Sequence, residues 1–126
     1  MKLYEFKKES GHNITHFDSN FIITRILRAE QAIQIGCAYL EKDGIIGNHQ
    51  TDVPQLLLVI KGQGHVKGKE DKFVKIQTGE AVFWEKDEWH ETRTNEGLTA
   101  IIIEGKGISP IFLNDITSSL VEVDVI

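Results

Sequence analysis

The chain has 126 residues, with 19 acidic against 14 basic side chains and a formal net charge of −5, which argues against a nucleic-acid partner wanting a basic stripe. The length suits one domain with one core, and no run of about 18 apolar residues is present to span a membrane. The charged N-terminus, Met1 to Lys8, lacks the apolar stretch of a signal peptide. Cys37 is the single cysteine and cannot close an internal disulfide, so a cytoplasmic protein is expected.

Taken in chain order, the pattern is one of short strands. Residues 21–28 read as a strand. Residues 33–40 read as another, with Ile33, Ile35, Cys37 and Tyr39 on one face. Gln55 to Ile60 is apolar on both faces. Gly62-Gln63-Gly64 is predicted to turn the chain, and His65-Val66-Lys67 to begin the next strand. Residues 72–76 alternate cleanly, residues 81–84 follow Gly79-Glu80, His90 to Thr94 is polar but β-compatible, and Leu98 to Glu104 closes the series. In the tail, Val121 to Val125 alternates like a strand, and Asn114-Asp115 is suited to cap a short helix through Leu120. Such spacing predicts a sandwich or barrel. No linker or repeat interrupts it, so a single all-β domain over 1–126 is expected, with its core at about 33–104, an N-terminal arm and a C-terminal tail.

Two strands, 55–60 and 98–103, need cover on both faces, because large exposed apolar patches are unusual on soluble monomers. A second subunit, and hence a homodimer, is the simplest cover. Folding back of the N-terminal or C-terminal arm is the alternative.

Two histidines carry the chemistry of the sequence. His49, Thr51 and Gln55 are all odd-numbered and would share a face if one register runs through them. His90 comes from a later strand, with Thr92 and Thr94 on its side. Two imidazoles and an amide oxygen converging from neighbouring strands suit a first-row divalent metal such as iron, manganese, nickel or zinc.

These residues also carry a resemblance. The stretch from Gly44 to Gly62 is similar to the first signature of the cupins, G-x5-H-x-H-x3-4-E-x6-G. His49 stands at the first histidine, Thr51 at the second, Gln55 at the glutamate and Gly62 at the closing glycine, while Gly44 lies one residue too close to His49. The second signature, G-x5-P-x-G-x2-H-x3-N, is met by Gly79 and His90, with Glu85, Asp87 and Thr94 at the proline, glycine and asparagine positions. The resemblance covers roughly Ile33 to Glu104 and implies a cupin-type β-barrel, also called a jelly roll or double-stranded β-helix.

It further implies a metal site at His49, Gln55 and His90, in a family whose ligands are commonly three histidines and a glutamate. The replacements by Thr51 and Gln55 remove a ligand and a negative charge. A metal held there would favour a small anionic metabolite, in a metal-dependent oxygenase, isomerase or lyase. Without a metal, the same barrel would be a non-catalytic small-molecule-binding module.

Other residues have a functional and a plainer reading. Thr51, Tyr39, Trp84 and Thr92 are candidates to contact substrate. Trp84 could wall the barrel mouth, although core packing is the simpler role for it and for Tyr39. Cys37 is expected to be an inert buried thiol, His65 to face solvent, and the run Glu85 to Glu88 to be an exposed turn. Of Arg25 and Arg28, only one could face a cavity and grip a carboxylate.

Overall fold

The apolar run beginning at Gln55 explains the architecture. In the computed structural model, which describes residues 1–120 and 122–123, this run opens one long strand. The strands are β1 (Lys2–Glu5), β2 (His12–Ile14), β3 (Phe21–Ile23), β4 (Ile33–Leu40), β5 (Ile45–His49), β6 (Gln55–Lys67), β7 (Phe73–Gln77), β8 (Glu80–Trp84), β9 (His90–Arg93), β10 (Leu98–Gly105), β11 (Asn114–Asp115) and β12 (Glu122–Val123). The first half of β6 lies between β8 and β10, in a sheet ordered β11-β1-β8-β6-β10-β4. Its second half lies between β7 and β9, in a sheet that continues to β12 on one side and β5 on the other. All these pairings are antiparallel, and the two sheets face each other. No helix among the described residues is long and apolar enough to cross a membrane.

The turn expected at Gly62-Gln63-Gly64 is therefore a bend within β6. Gly62 holds a left-handed φ of 88°, and a β-carbon there would collide with the carbonyl of Gly97. Glycine is the residue that adopts this conformation without a steric cost. Such a bend is how a strand passes from one sheet to another. The strand expected over 21–28 is confined to residues 21–23, where it pairs with β2 in a separate two-stranded hairpin. The capped helix expected after Asn114 is a short 3-10 turn at Thr117–Ser119. Of the strand expected over 121–125, residues 122–123 pair with β7, and the others lie outside the described residues.

Both faces of β6 are buried, as its sequence requires. Leu57 and Val59 point inward, with Val66, Val82, Trp84 and Ala100. Leu56 and Leu58 point outward, with Phe83 and Ile103. Each fully buried side chain of this kind contributes about 1.5–3 kcal/mol. The outward cluster is covered by the chain's own arms, Ile26 and Leu27 from one side and Ile108 and Leu113 from the other. This is the second of the two covers considered from sequence. Beyond that cover the outer face continues onto the edge strand β4, where Ile35, Cys37 and Tyr39 are exposed. Cys37 is thus not the buried thiol expected.

Two further expectations change. Glu88, at the end of the acidic run, is buried: it accepts the backbone N–H of Glu85 (3.0 Å) and of Lys69 (3.4 Å), and pairs with the Met1 amine (2.9 Å). His65 is half-buried, and its Nδ1 is shielded from solvent without a partner. It lies across from Lys75 and Arg93 in the ladder. Burial, then the charge of Lys75, holds its pKa below the ordinary value, which is about 6.5. On acidification from about pH 7 the unfolded chain takes up this proton before the folded chain does, so stability falls. His65→Gln is expected to flatten the stability loss between about pH 7 and pH 5 in urea unfolding; an unaltered slope would count against this.

Candidate functional site

β5 and β9 bring the histidines together. His49 ends β5 and His90 begins β9, and the two are direct cross-strand partners, reached through a register shift between Ile46 and His49. The ring centroids lie 4.4 Å apart at an angle of 56°. Gln55 reaches the same region from the opposite sheet, opposite Trp84 on β8 and Glu104 on β10. The parity argument linking His49, Thr51 and Gln55 in one register is therefore corrected. The chain leaves β5 at His49 and re-enters a strand of the other sheet only at Gln55, after Pro54.

Each imidazole is oriented by its own backbone. His90 donates Nδ1–H to the carbonyl of Glu88 (2.8 Å), and His49 donates Nδ1–H to the carbonyl of Gly47 (2.7 Å). Since a carbonyl only accepts, the proton of each neutral ring sits on Nδ1 and the lone pair on Nε2. Trp84 stacks on His90 at 4.3 Å and 19°, and its own indole N–H donates to the carbonyl of Lys67 (3.1 Å). His90 is 2 % exposed, and its Nε2 is buried without a hydrogen-bond partner. Its pKa is held below the ordinary range, chiefly by burial; the bond to Glu88, and the charges of Glu88 and Glu104, oppose that shift, while His49 adds to it.

Glu104 was not among the residues singled out from sequence. It is the penultimate residue of β10, on the inward face, and its Oε1 accepts Gln55 Nε2–H at 2.9 Å. Direct pairings run from Trp84 through Gln55 and Glu104 to Gln34 on β4, so these four form one inward row across four strands. A signal for Glu104 existed, since Ala100, Ile102 and Glu104 share a parity, but naming it required the register of β6 against β10. Gly36, paired with the inward Ile102, leaves space beside this row: a β-carbon there would meet nothing within 4 Å.

The expected substrate contacts divide. Trp84 and Thr92 are buried; Trp84 backs His90, and Thr92 lies two residues along β9 on the same face. Thr51 is taken up by its turn, donating its hydroxyl to the carbonyl of Val53 (2.8 Å). Tyr39 is 74 % exposed and points away from the cavity, since its neighbour Leu40 packs into the interior cluster. Arg25 and Arg28 are both exposed, so neither supplies an inward guanidinium.

The signature departures also have a structural reading. Asp43, six residues before His49, occupies the first glycine position with φ 61°, and Asp87 occupies the second signature's inner glycine position with φ 64°. Aspartate is among the few non-glycine residues that visit this region readily. Thr94, at the asparagine position, donates to the carbonyl of Gln63 (2.7 Å) and accepts the N–H of Gly97 (3.0 Å). The backbone requirements of both signatures are thus met by other residues.

Solved structures agree. The chain has a cupin fold. It is similar to an RmlC-like cupin from Shewanella frigidimarina (17 % identity, TM-score 0.55), matching 57 % of this chain and 64 % of that one. It is also similar to a cupin superfamily protein from Desulfitobacterium hafniense (11 % identity, TM-score 0.57, 65 % of this chain and 74 % of that one). A conserved protein of unknown function from Streptococcus pyogenes is alike to a similar degree (17 % identity, TM-score 0.56, 65 % and 71 %). The match thus spans less than two thirds of the Shewanella protein. No family model and no curated protein matches the sequence.

For a metal, this barrel offers two imidazole lone pairs and one amide oxygen. Among the described residues, no three His, Cys, Asp or Glu side chains are close enough to share an ion, so the common set of three histidines and a glutamate is not reproduced. The donor set still fits a divalent ion: with Gln55 Nε2 committed to Glu104, the amide's free end is an oxygen, and the unpartnered His90 Nε2 is a Lewis base in want of an acid. Gln55→Glu would set a second carboxylate against Glu104 and lose the N–H donor. In chelator-treated protein it is expected to cost about 1–3 kcal/mol in urea unfolding near neutral pH; unchanged stability would show that the two side chains do not face each other.

Proposed function

We propose that this cupin-fold protein binds a small oxygen-bearing metabolite at a divalent metal held by His49 and His90, with Gln55 as the oxygen donor. The observation that carries this reading is the buried, unpartnered Nε2 of His90. Both rings place their lone pairs on Nε2, and two acceptors within one small space call for a cation or a donor rather than an anion. Glu88 and Gly47 hold the rings by their Nδ1–H groups, and Trp84 holds the plane of His90. Carbonyl partners of this kind fix the tautomer of metal-ligating histidines.

A bound dication would supply Lewis-acid polarisation of a substrate oxygen. The residues around it exclude water on the Trp84 side and leave room beside Gly36. Three neutral donors and one nearby carboxylate, Glu104, leave such a site net positive, so an anionic metabolite is the favoured ligand. A two-histidine, one-amide set suits isomerase or lyase chemistry better than oxygen activation, which usually employs two histidines and a coordinating carboxylate.

The test is metal uptake by chelator-treated protein, titrated with zinc, manganese, nickel and ferrous ions, followed by oxalate as a probe anion. Wild type is expected to take up one ion and then to bind oxalate only when loaded. His49→Ala and His90→Ala should each weaken uptake on the order of a hundredfold while keeping a β-rich circular dichroism spectrum. Failure of wild type to take up any of these ions would overturn the reading, and tight binding of a small organic molecule by the metal-free protein would replace it with the binding-module alternative.

A further inference from the structure

We infer that Glu104 is the charged member of this site, a positioning residue that fixes the Gln55 amide and supplies the negative charge missing from the first cupin signature. The inference rests on the metal reading above and goes one residue beyond it.

Three observations converge on Glu104. Its carboxylate accepts the Gln55 N–H at 2.9 Å, which settles the orientation of an amide that could otherwise present either end. It stands in direct register with Gln55 on one side and Gln34 on the other, so it belongs to the inward row. Its charge also reaches His90 across the barrel. Gln34 and Gln55 are both neutral, and among the described residues no salt bridge is made by Glu104. A carboxylate in this position, half-buried and hydrogen-bonded to a neutral amide, keeps its charge free to attract a cation bound beside Gln55.

The plainer role would be to satisfy a buried amide, and Glu104→Gln separates the two. Glutamine keeps a carbonyl oxygen to accept the Gln55 N–H, so a purely structural residue would tolerate the change. If Glu104 supplies charge to the site, the same change must weaken metal binding.

Zinc affinity is measured by competition against a chromophoric chelator, with the cobalt absorption spectrum as a check on coordination and thermal unfolding as a check on folding. Glu104→Gln is expected to weaken zinc binding about tenfold or more while the protein stays folded and unfolds cooperatively, its melting temperature lowered only by the exchange of a charged hydrogen bond for a neutral one. The exchange Gln55→Glu with Glu104→Gln, which moves the charge back to the position the signature gives it, should restore affinity to at least that of wild type. Affinity unchanged in Glu104→Gln, or no recovery in the exchange, would overturn the inference. If Glu104→Gln is too unstable to titrate, the exchange variant alone decides: wild-type or tighter binding supports the inference, and weaker binding overturns it. Wild type that binds no metal removes this inference together with the reading beneath it. Metal loss in the two histidine variants beside an indifferent Glu104→Gln removes the inference alone.

Discussion

The site depends on one strand serving two sheets. β6 must place Gln55 beside β8 and β10 at one end and pair with β9 at the other. It can do both only if its backbone bends in the middle without losing its ladder. Gly62 supplies the bend, and the neighbouring Gly64 lets the chain pass against the carbonyl of Arg93, which a side chain would block. With β6 bent, β9 rides on its second half and carries His90 over the inner face of the first. β5 then pairs with β9 and delivers His49. The imidazoles and the polar row thus approach from opposite walls, although no two neighbouring strands hold the whole set.

Desolvation gives that meeting its chemical meaning. Once Trp84 covers one face of His90 and the Glu88 carbonyl takes its Nδ1–H, the ring can neither turn nor readily take a second proton. Burial penalises the charged imidazolium, and His49 lies close enough to add to that penalty. The outcome is a neutral ring with a shielded lone pair, the state in which an imidazole binds a metal. A buried polar atom costs about 1–3 kcal/mol when left unpaired, so a donor or a cation at His90 Nε2 would be favoured over an apolar neighbour. Glu88 has a double part here, because its buried side chain ties down the turn whose carbonyl orients His90.

The barrel and the meeting of His49 with His90 were legible in the sequence because both rest on local patterns. Short alternating strands and two spaced signatures are properties of the chain read along its length. The departures at Asp43 and Asp87 weakened the signatures only in letter, since what matters there is a left-handed backbone, and aspartate accepts one. Gln55 is assigned to the site by its place in the first signature; the shared parity with His49 does not carry it there, because the chain changes sheets around Pro54. Tyr39 was misplaced because the face it shares with Ile35 was assumed to be the interior, whereas the edge strand β4 turns that face to solvent. Glu104 was missed because its importance lies in which residue sits across the ladder, and register between distant strands is set by the whole sheet rather than by either segment.

The division of labour between Gln55 and Glu104 has a physical logic of its own. Gln55 is only 5 % exposed, and an ionised carboxylate at such depth would cost several kcal/mol unless a cation were always beside it. A neutral amide there lets the barrel fold with no ion bound. One strand over, near the end of β10, Glu104 is half-buried and retains some contact with water, so its charge is cheaper to keep. Its hydrogen bond to Gln55, of the kind worth roughly 1.5–3 kcal/mol when one partner is ionised, couples that charge to the interior. Placing the negative charge on half-buried Glu104 rather than on buried Gln55 thus lets the barrel close around a neutral amide, with no requirement for a bound cation to offset a buried charge.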